Sequence, residues 1–337
     1  MNTALIGLGR MGLRHYEVLQ RLKLDVVGAA DLNADTHAAA KDAGIAEAAI
    51  FKDAADMLEA VDAELVVIAT TGPSHYPLVK LAVESGAKNI LCEKPMGVSL
   101  AQCDAMIEMC EAAGCRLAIN HQMRFMDQYV LPKQKLDSEA HGGLSSMTVL
   151  AGNFGFAMNG SHYLEAFRYM ADDAPATVCA WFSDEILANP RGAQFEDRAG
   201  SMRIETVGGK RYYMDIGTDQ GHGMHVTYMS RNGRIDIDEL AGHMREVVRE
   251  AEHRDAPTTR YGMPYHTEVT QITPADAVTP TQHVLQALLA GENYPDGHDG
   301  RQAIELLVAA YMSAEQGGAP VDIRTAEFDR ERKYPWA

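Results

Sequence analysis

The hexapeptide GLGRMG at residues 7–12 constrains this 337-residue chain more tightly than any other stretch. Gly7, Gly9 and Gly12 have the GxGxxG spacing, which alone is a weak signal because glycine-rich turns without a ligand are common. Here the strand pattern TALIGL precedes it and the helical pattern LRHYEVLQRL follows. Asp31 ends the next strand candidate, 19 residues beyond Gly12. That context describes a dinucleotide-binding βαβ unit, with a tight turn, a backbone that lets a pyrophosphate come close, and a helix N-terminus facing the anion. Arg10 and Met11 complete the loop and are expected beside the cofactor with the three glycines. Asp31 is expected to accept hydrogen bonds from the adenosine ribose hydroxyls. A carboxylate there repels a 2′-phosphate, so NAD is the expected cofactor and NADP is disfavoured.

The first 120 residues continue the same alternation. DVVGAAD, ELVVIATT, NILCEKP and RLAIN read as strands, and segments such as YPLVKLAVESG carry apolar residues at helical spacing. Strands alternating with helices predict a parallel sheet with right-handed crossovers. From about residue 143 the texture changes. LSSMTVLAG, ATVCAWFS, SMRIETV, KRYYMDIG and HVTYMS show partial period-two alternation, broken by the turns VGGK and RNGR. That pattern predicts an antiparallel or mixed sheet with one solvated face. The helical patterns HYLEAFRYM, PTQHVLQALLAG and GRQAIELLVAAYMSAEQGG complete the chain. The expected organisation is α/β: a Rossmann domain over residues 1–121, followed by a second α/β domain over 122–337 with a mainly antiparallel sheet. The C-terminal helices can pack back on the first domain.

Composition narrows the partners. A formal charge of −17 argues against nucleic acid and anionic membrane surfaces. No apolar run approaches the roughly 20 residues that span a bilayer. MNTALIGLGRMG reads as a first strand rather than a secretory signal. The five cysteines form no CxxC pair, so a cytoplasmic protein with reduced thiols is expected.

Two strand ends face the same crevice as GLGRMG. In TTGPSHYPLVK, Ser74 or His75 can cap the following helix, while Thr70, Thr71 and His75 are placed against the cofactor at the carboxyl end of ELVVIA. In NILCEKPMGVS, Glu93 and Lys94 end a strand and Pro95 restrains the backbone behind them. The Lys94–Pro95 bond can be cis or trans; the sequence leaves this open. A lysine in such a crevice, beside a positive nicotinamide ring, is expected to have a lowered pKa and to hydrogen-bond a substrate hydroxyl.

GLGRMG, the strand-end Asp31, ATTGPSH and CEKP, in this order, resemble the Gfo/Idh/MocA family of nicotinamide-dependent oxidoreductases. The tail LLAGENYPDGHDGRQAIELLVAAYMSAEQGG is similar to that family's C-terminal helices. The resemblance implies oxidation or reduction of a hydroxyl or keto group on a sugar, inositol or sugar nucleotide. It implies catalysis by Lys94 with a histidine that opens a helix in the second domain, which in FAMNGSHYLEAFRYM is His162. It also implies that the second domain carries a large open-faced sheet, serves substrate binding, and forms a homodimer or homotetramer through that sheet. Glu165 matches the family's acidic position one turn after the histidine, and a histidine suits proton transfer near neutrality. Many sugar dehydrogenases of the family carry an aspartate four residues before the histidine. This chain has Met158, and Asn159 is the nearest polar side chain, able to orient a hydroxyl but not to take its proton.

Arg124 in NHQMRF matches the family's arginine and serves either structure or substrate contact. The expected substrate contacts are thus Lys94, Arg124, Asn159 and His162. NPRGAQFEDR, at 189–198, reads as a solvated polar loop that can also bring Arg191 or Arg198 to an anion. In HGMH, His222 and His225 point to opposite faces of a strand, so no metal is expected. Two other activities fit the same fold: an enzyme that holds NAD tightly and shows no net redox, and a non-catalytic nucleotide-sensing regulator.

Overall fold

The computed structural model describes residues 1–152, 154–221, 223–257 and 261–337. The chain divides into two compact units: Met1–Gln122 with Asp276–Ile304 and Asp329–Ala337, and Met123–Ala275 with Glu305–Phe328.

The first unit is built on strands β1 (Asn2–Ile6), β2 (Asp25–Ala30), β3 (Ile50–Phe51), β4 (Leu65–Ile68), β5 (Asn89–Cys92) and β6 (Arg116–Ile119). They form one parallel sheet in the order β3-β2-β1-β4-β5-β6, the doubly wound arrangement. Helices α1 (Arg10–Arg21), α2 (Asp35–Asp42), α3 (Ala54–Ala60), α4 (Gly72–Glu84) and α5 (Leu100–Ala112) make the connections. β4 (LVVI) and β5 (NILC) are buried along their whole length, which is why they read as unbroken runs rather than alternating ones. α1 buries Gly12, His15, Tyr16, Val18 and Leu19, one stripe at helical spacing. β3 is only two residues long and carries no periodicity to read.

The second unit begins with α6 (Asp127–Leu136) and β7 (Leu144–Gly152), followed by α7 (Ser161–Ala171). Seven strands then run from β8 to β14: Pro175–Ile186, Arg198–Thr206, Arg211–Gly217, His225–Ser230, Gly233–Asp238, His243–Arg249 and Tyr265–Gln271. Helices α8 (Val278–Ala290) and α9 (Gly297–Glu315) and the short β15 (Val321–Asp322) close the chain; α8 and residues 297–304 of α9 belong to the first unit. The nine-stranded sheet runs β14-β13-β12-β11-β7-β10-β9-β8-β15 and is antiparallel except where β10 pairs with β7. Tyr212, Met214 and Ile216 point into the core from β10 and Tyr213 points away, the alternation of a sheet covered on one face. Leu150, Trp181, Tyr213, Met229 and Val269 lie exposed on the other face. Among the described residues, no helix is long and apolar enough to cross a membrane.

In the first unit the last residues are tied in by Tyr334, whose N–H donates to the Val98 carbonyl at 2.9 Å, and whose ring stacks on the buried Trp336.

Candidate functional site

The three glycines of GLGRMG are required for different reasons. Gly7 has φ of +95°, and a Cβ there would lie 2.6 Å from the Ala69 carbonyl oxygen. A Cβ on Gly12 would lie 1.9 Å from the Gly7 carbonyl oxygen, so the helix can rest on the turn only without a side chain. A Cβ on Gly9 would meet no atom within 4 Å. The fold therefore demands the first and third glycines and leaves the second side open, where a pyrophosphate reaches the backbone. Gly9 is also the N-cap of α1 and makes no side-chain cap, so the first N–H groups of the helix remain for an anion. Asp31 accepts the Leu8 N–H on Oδ2 at 2.7 Å and the Asn33 N–H on Oδ1 at 2.8 Å. Each oxygen keeps capacity for a further donor, as a ribose hydroxyl requires. These residues fit NAD.

The ends of β4 and β5 are bound to each other. Thr71 is the N-cap of α4 but makes no side-chain cap. The expected cap from Ser74 or His75 is replaced by inward bonds. The Ser74 hydroxyl lies 2.8 Å from both Thr70 Oγ1 and the Thr71 carbonyl. His75 is wholly buried, and its Nδ1–H donates to the Pro95 carbonyl at 2.8 Å. The histidine thus ties the first turn of α4 to the peptide behind Lys94, while Thr70 and Thr71 stay partly exposed. The Lys94–Pro95 bond is cis.

Glu93 and Lys94 are both buried, at 3% and 7% exposure. Glu93 Oε1 accepts from His15 Nε2 and from Asn120 Nδ2, each at 2.8 Å, and Oε2 accepts the Lys94 N–H at 3.2 Å. Asn120 also donates to the Thr281 hydroxyl on α8 at 3.2 Å. Burial pushes the Glu93 carboxyl up, but the hydrogen bond and charge of His15, then Lys94 and Asn120, outweigh it and hold the group well below the ordinary carboxylate range. Glu93 is therefore a buried carboxylate hub beneath Lys94. His15 is the partner that sequence reading missed; its sole local signal is a position on the buried stripe of α1, one turn after Gly12.

In the second unit, a five-residue π-turn, Phe156–Gly160, leads into α7 and carries Met158 and Asn159, both partly exposed. His162 is the second residue of α7 and is 8% exposed. One turn on, Glu165 is fully buried and forms ion pairs with Arg124 and, at 3.2 Å, with Arg168. Arg124 also lies over the Tyr169 ring, 5.3 Å from its centroid. Arg124 is thus held against the helix that bears His162. Beside His162, the Tyr163 hydroxyl donates to Glu239 Oε2 at 2.7 Å, and Tyr129 donates to the other oxygen. Burial pushes the Glu239 carboxyl up to about 7, although the two tyrosine bonds pull it down.

Most of the NPRGAQFEDR segment reads as expected of a loop, with Arg191 and Arg198 partly exposed. Its Asp197 does not: it is 2% exposed and bonded to the backbone of the π-turn. For HGMH, His225 opens β11, and His222 lies outside the described residues.

A βαβ sheet of this order with a glycine cradle and a strand-end acid defines an NAD-binding Rossmann oxidoreductase. The profile of the oxidoreductase family with the NAD-binding Rossmann fold, GFO_IDH_MocA, matches residues 1–121. D-apiose dehydrogenase of Paraburkholderia graminis is 25% identical over 97% of this chain and 90% of its own length. Inositol 2-dehydrogenase of Serratia proteamaculans is 32% identical over 64% of this chain and 70% of its own. An oxidoreductase from Agrobacterium radiobacter, solved with NAD+, L-tartaric acid and magnesium, has the same fold, with a TM-score of 0.79, 21% identity and coverage of 96% and 98% of the two chains. The chain belongs to the Gfo/Idh/MocA family of oxidoreductases, and its cofactor is NAD.

Proposed function

We propose that the protein is an NAD-dependent dehydrogenase or reductase of a sugar, an inositol or a sugar nucleotide, with Lys94 and His162 assisting proton transfer. The observation that carries this reading is the arrangement at the carboxyl end of the parallel sheet. The cradle of GLGRMG, the strand-end Asp31 and the buried Glu93–Lys94 pair all lie where doubly wound sheets bind ligands. The dehydrogenases of D-apiose and of inositol among its relatives support a polyhydroxylated substrate.

NAD supplies the hydride acceptor; the protein supplies orientation and charge. In the oxidative direction Lys94 donates a hydrogen bond to the substrate oxygen and stabilises the charge that develops there. His162 takes the hydroxyl proton, and Asn159 orients a neighbouring hydroxyl. Arg124 serves the substrate helix through Glu165 and contacts substrate where its guanidinium permits. Asp31 disfavours NADP. The second unit provides the substrate-binding and oligomerisation part, and its exposed apolar sheet face supports a homodimer or homotetramer.

A screen of aldoses, inositols and nucleotide sugars for NADH formation at 340 nm tests the reading. The expected result is a substrate among these classes whose oxidation is abolished in Lys94→Met. No turnover on any of them, with NAD bound stoichiometrically, would sink it.

A further inference from the structure

We infer that Asp197 is a positioning residue for the helix that carries His162, an inference that rests on the reading of His162 as proton acceptor. A helix start leaves backbone N–H groups without intrahelical partners, and the cap residue normally supplies a side-chain acceptor. The residue in the cap position of the π-turn that leads into this helix is Gly155, which has no side chain to offer. The acceptor comes instead from 42 residues away, at the entry to β9. Asp197 Oδ1 accepts the Ala157 N–H at 2.8 Å and Oδ2 accepts the Met158 N–H at 2.9 Å, a two-pronged bond to consecutive amides. Oδ1 also accepts the Arg198 N–H at 3.1 Å, which fixes the carboxylate to its own strand.

Gly155 and Asp197 fit only together. A Cβ on Gly155 would lie 2.0 Å from the Asp197 Cγ and 2.3 and 2.4 Å from its two oxygens. The glycine makes the room that the carboxylate fills. At 2% exposure Asp197 is shielded from water, so its bonds are not exchanged for solvent ones and its charge acts on the helix N-terminus at close range.

The consequence reaches His162 through geometry. Met158 precedes His162 by four residues, about one helical turn, so where the Met158 amide is held sets the height and azimuth of the His162 side chain. Asn159 lies inside the same span. An ordinary cap would bind the helix start only to itself. Asp197 binds it to a strand in the interior of the nine-stranded sheet, a rigid reference for groups that must be placed to within a fraction of an ångström. The carboxylate thus reaches the backbone of Met158 itself.

The test uses the full chain with NAD, and the aldose or polyol that gives the fastest NADH formation. Asp197→Asn puts an amide N–H₂ against one of the two backbone donors. It is expected to lower kcat by about 10–100-fold, the scale of a small misplacement, with KM for NAD within about twofold. Hydrogen exchange at the Ala157 and Met158 amides should accelerate by about tenfold or more. Gly155→Ser should be harmful alone. In Gly155→Ser/Asp197→Ala the serine has room to cap conventionally, so amide protection should recover relative to Asp197→Ala while kcat stays low, because that cap does not tie the helix to β9. That split between protection and kcat reads out the positioning role even if Asp197→Asn folds poorly. Unchanged kcat and protection in Asp197→Asn, with His162→Asn inactive, would overturn the role of Asp197. So would full recovery of kcat in the double variant. Full turnover in His162→Asn would instead overturn the reading of His162, and the positioning role with it.

Discussion

His15 Nε2–H donates to Glu93 Oε1 across 2.8 Å, and the two side chains are 2% and 4% exposed. The bond joins the helix of the glycine cradle to the strand end that carries Lys94. A buried carboxylate is tolerated only while it keeps its donors, and Glu93 has His15, Asn120 and a backbone N–H. Breaking this pair from one side strands a charge in the interior. His15→Leu is expected to destabilise the protein by about 3–5 kcal/mol in urea unfolding, while Glu93→Gln costs less because an amide oxygen still accepts from His15 and Asn120. Equal losses would mean that Glu93 is not the charged member.

The pH dependence of that stabilisation follows from the direction of the Glu93 shift. Its folded pKa is depressed, so the contribution is present above the ordinary carboxylate value of 4.5 and is lost as pH falls through the lower folded value. The stability gap between wild type and Glu93→Gln should therefore narrow as unfolding is measured at successively lower pH below about 4.5. A gap that stays constant down to acid unfolding contradicts the depressed value.

Glu239 behaves in the opposite sense. Burial raises its folded pKa from 4.5 to about 7, so the neutral acid is favoured in the folded chain. Its contribution is complete below about 4.5 and is lost as pH rises through about 7. Glu239→Gln keeps the shape without the charge. It should gain stability relative to wild type across that interval, by about 3 kcal/mol at most. Parallel stability curves for the two proteins would show that the carboxyl ionises as freely inside as outside.

Cofactor choice turns on Asp31. Wild type is expected to bind NAD at least about tenfold more tightly than NADP in fluorescence titrations, since a carboxylate at this strand end would face the 2′ position. Asp31→Ser should weaken NAD and narrow the preference, because the Leu8 and Asn33 N–H groups lose their acceptor as well. Equal affinity for the two cofactors in wild type would remove Asp31 from this role.

Lys94→Met keeps most of the side-chain length and deletes the charge and its donors. Turnover should fall by about 10²–10⁴-fold, the range for a positioned proton-transfer group, with NAD affinity nearly unchanged. Near-normal turnover would leave Lys94 a structural residue.

Met158→Asp places a carboxylate one turn before His162 and favours its protonated form. Alcohol oxidation needs the neutral ring, so the acid limb of the kcat profile should move to higher pH, while wild type is active without the change. If only the variant shows redox activity, the nucleotide-sensing alternative is the better account of the natural chain.

Legibility in the sequence tracked distance along the chain. The glycine cradle and Asp31 fall within one βαβ unit, where spacing read with the flanking strand and helix carries the meaning. Strands β4 and β5 were readable because burial on both faces leaves nothing but apolar residues. β13 and β14, HMREVVR and YHTEVTQ, were not, because one face is open and polar side chains interrupt the pattern. The bonds His15–Glu93 and Asp197–Met158 span 78 and 39 residues. No local pattern announces that a histidine on a buried helix stripe or an aspartate in a polar loop will find its partner so far away. Lys94 was legible from its place at a strand end and His162 only through the family resemblance, with the supports of both invisible.

The three glycines of residues 7–12 divide the chain's obligations between them. Gly7 and Gly12 answer to the polypeptide, since any side chain collides with carbonyl oxygens that the sheet and helix cannot move. Gly9 answers to nothing inside the molecule. A methyl group there should cost the folded apoprotein almost nothing and would stand where a dinucleotide pyrophosphate approaches such a loop. Architecture and occupancy are thus encoded by separate atoms of one hexapeptide, and a lineage that gave up the cofactor could lose Gly9 while its scaffold endured.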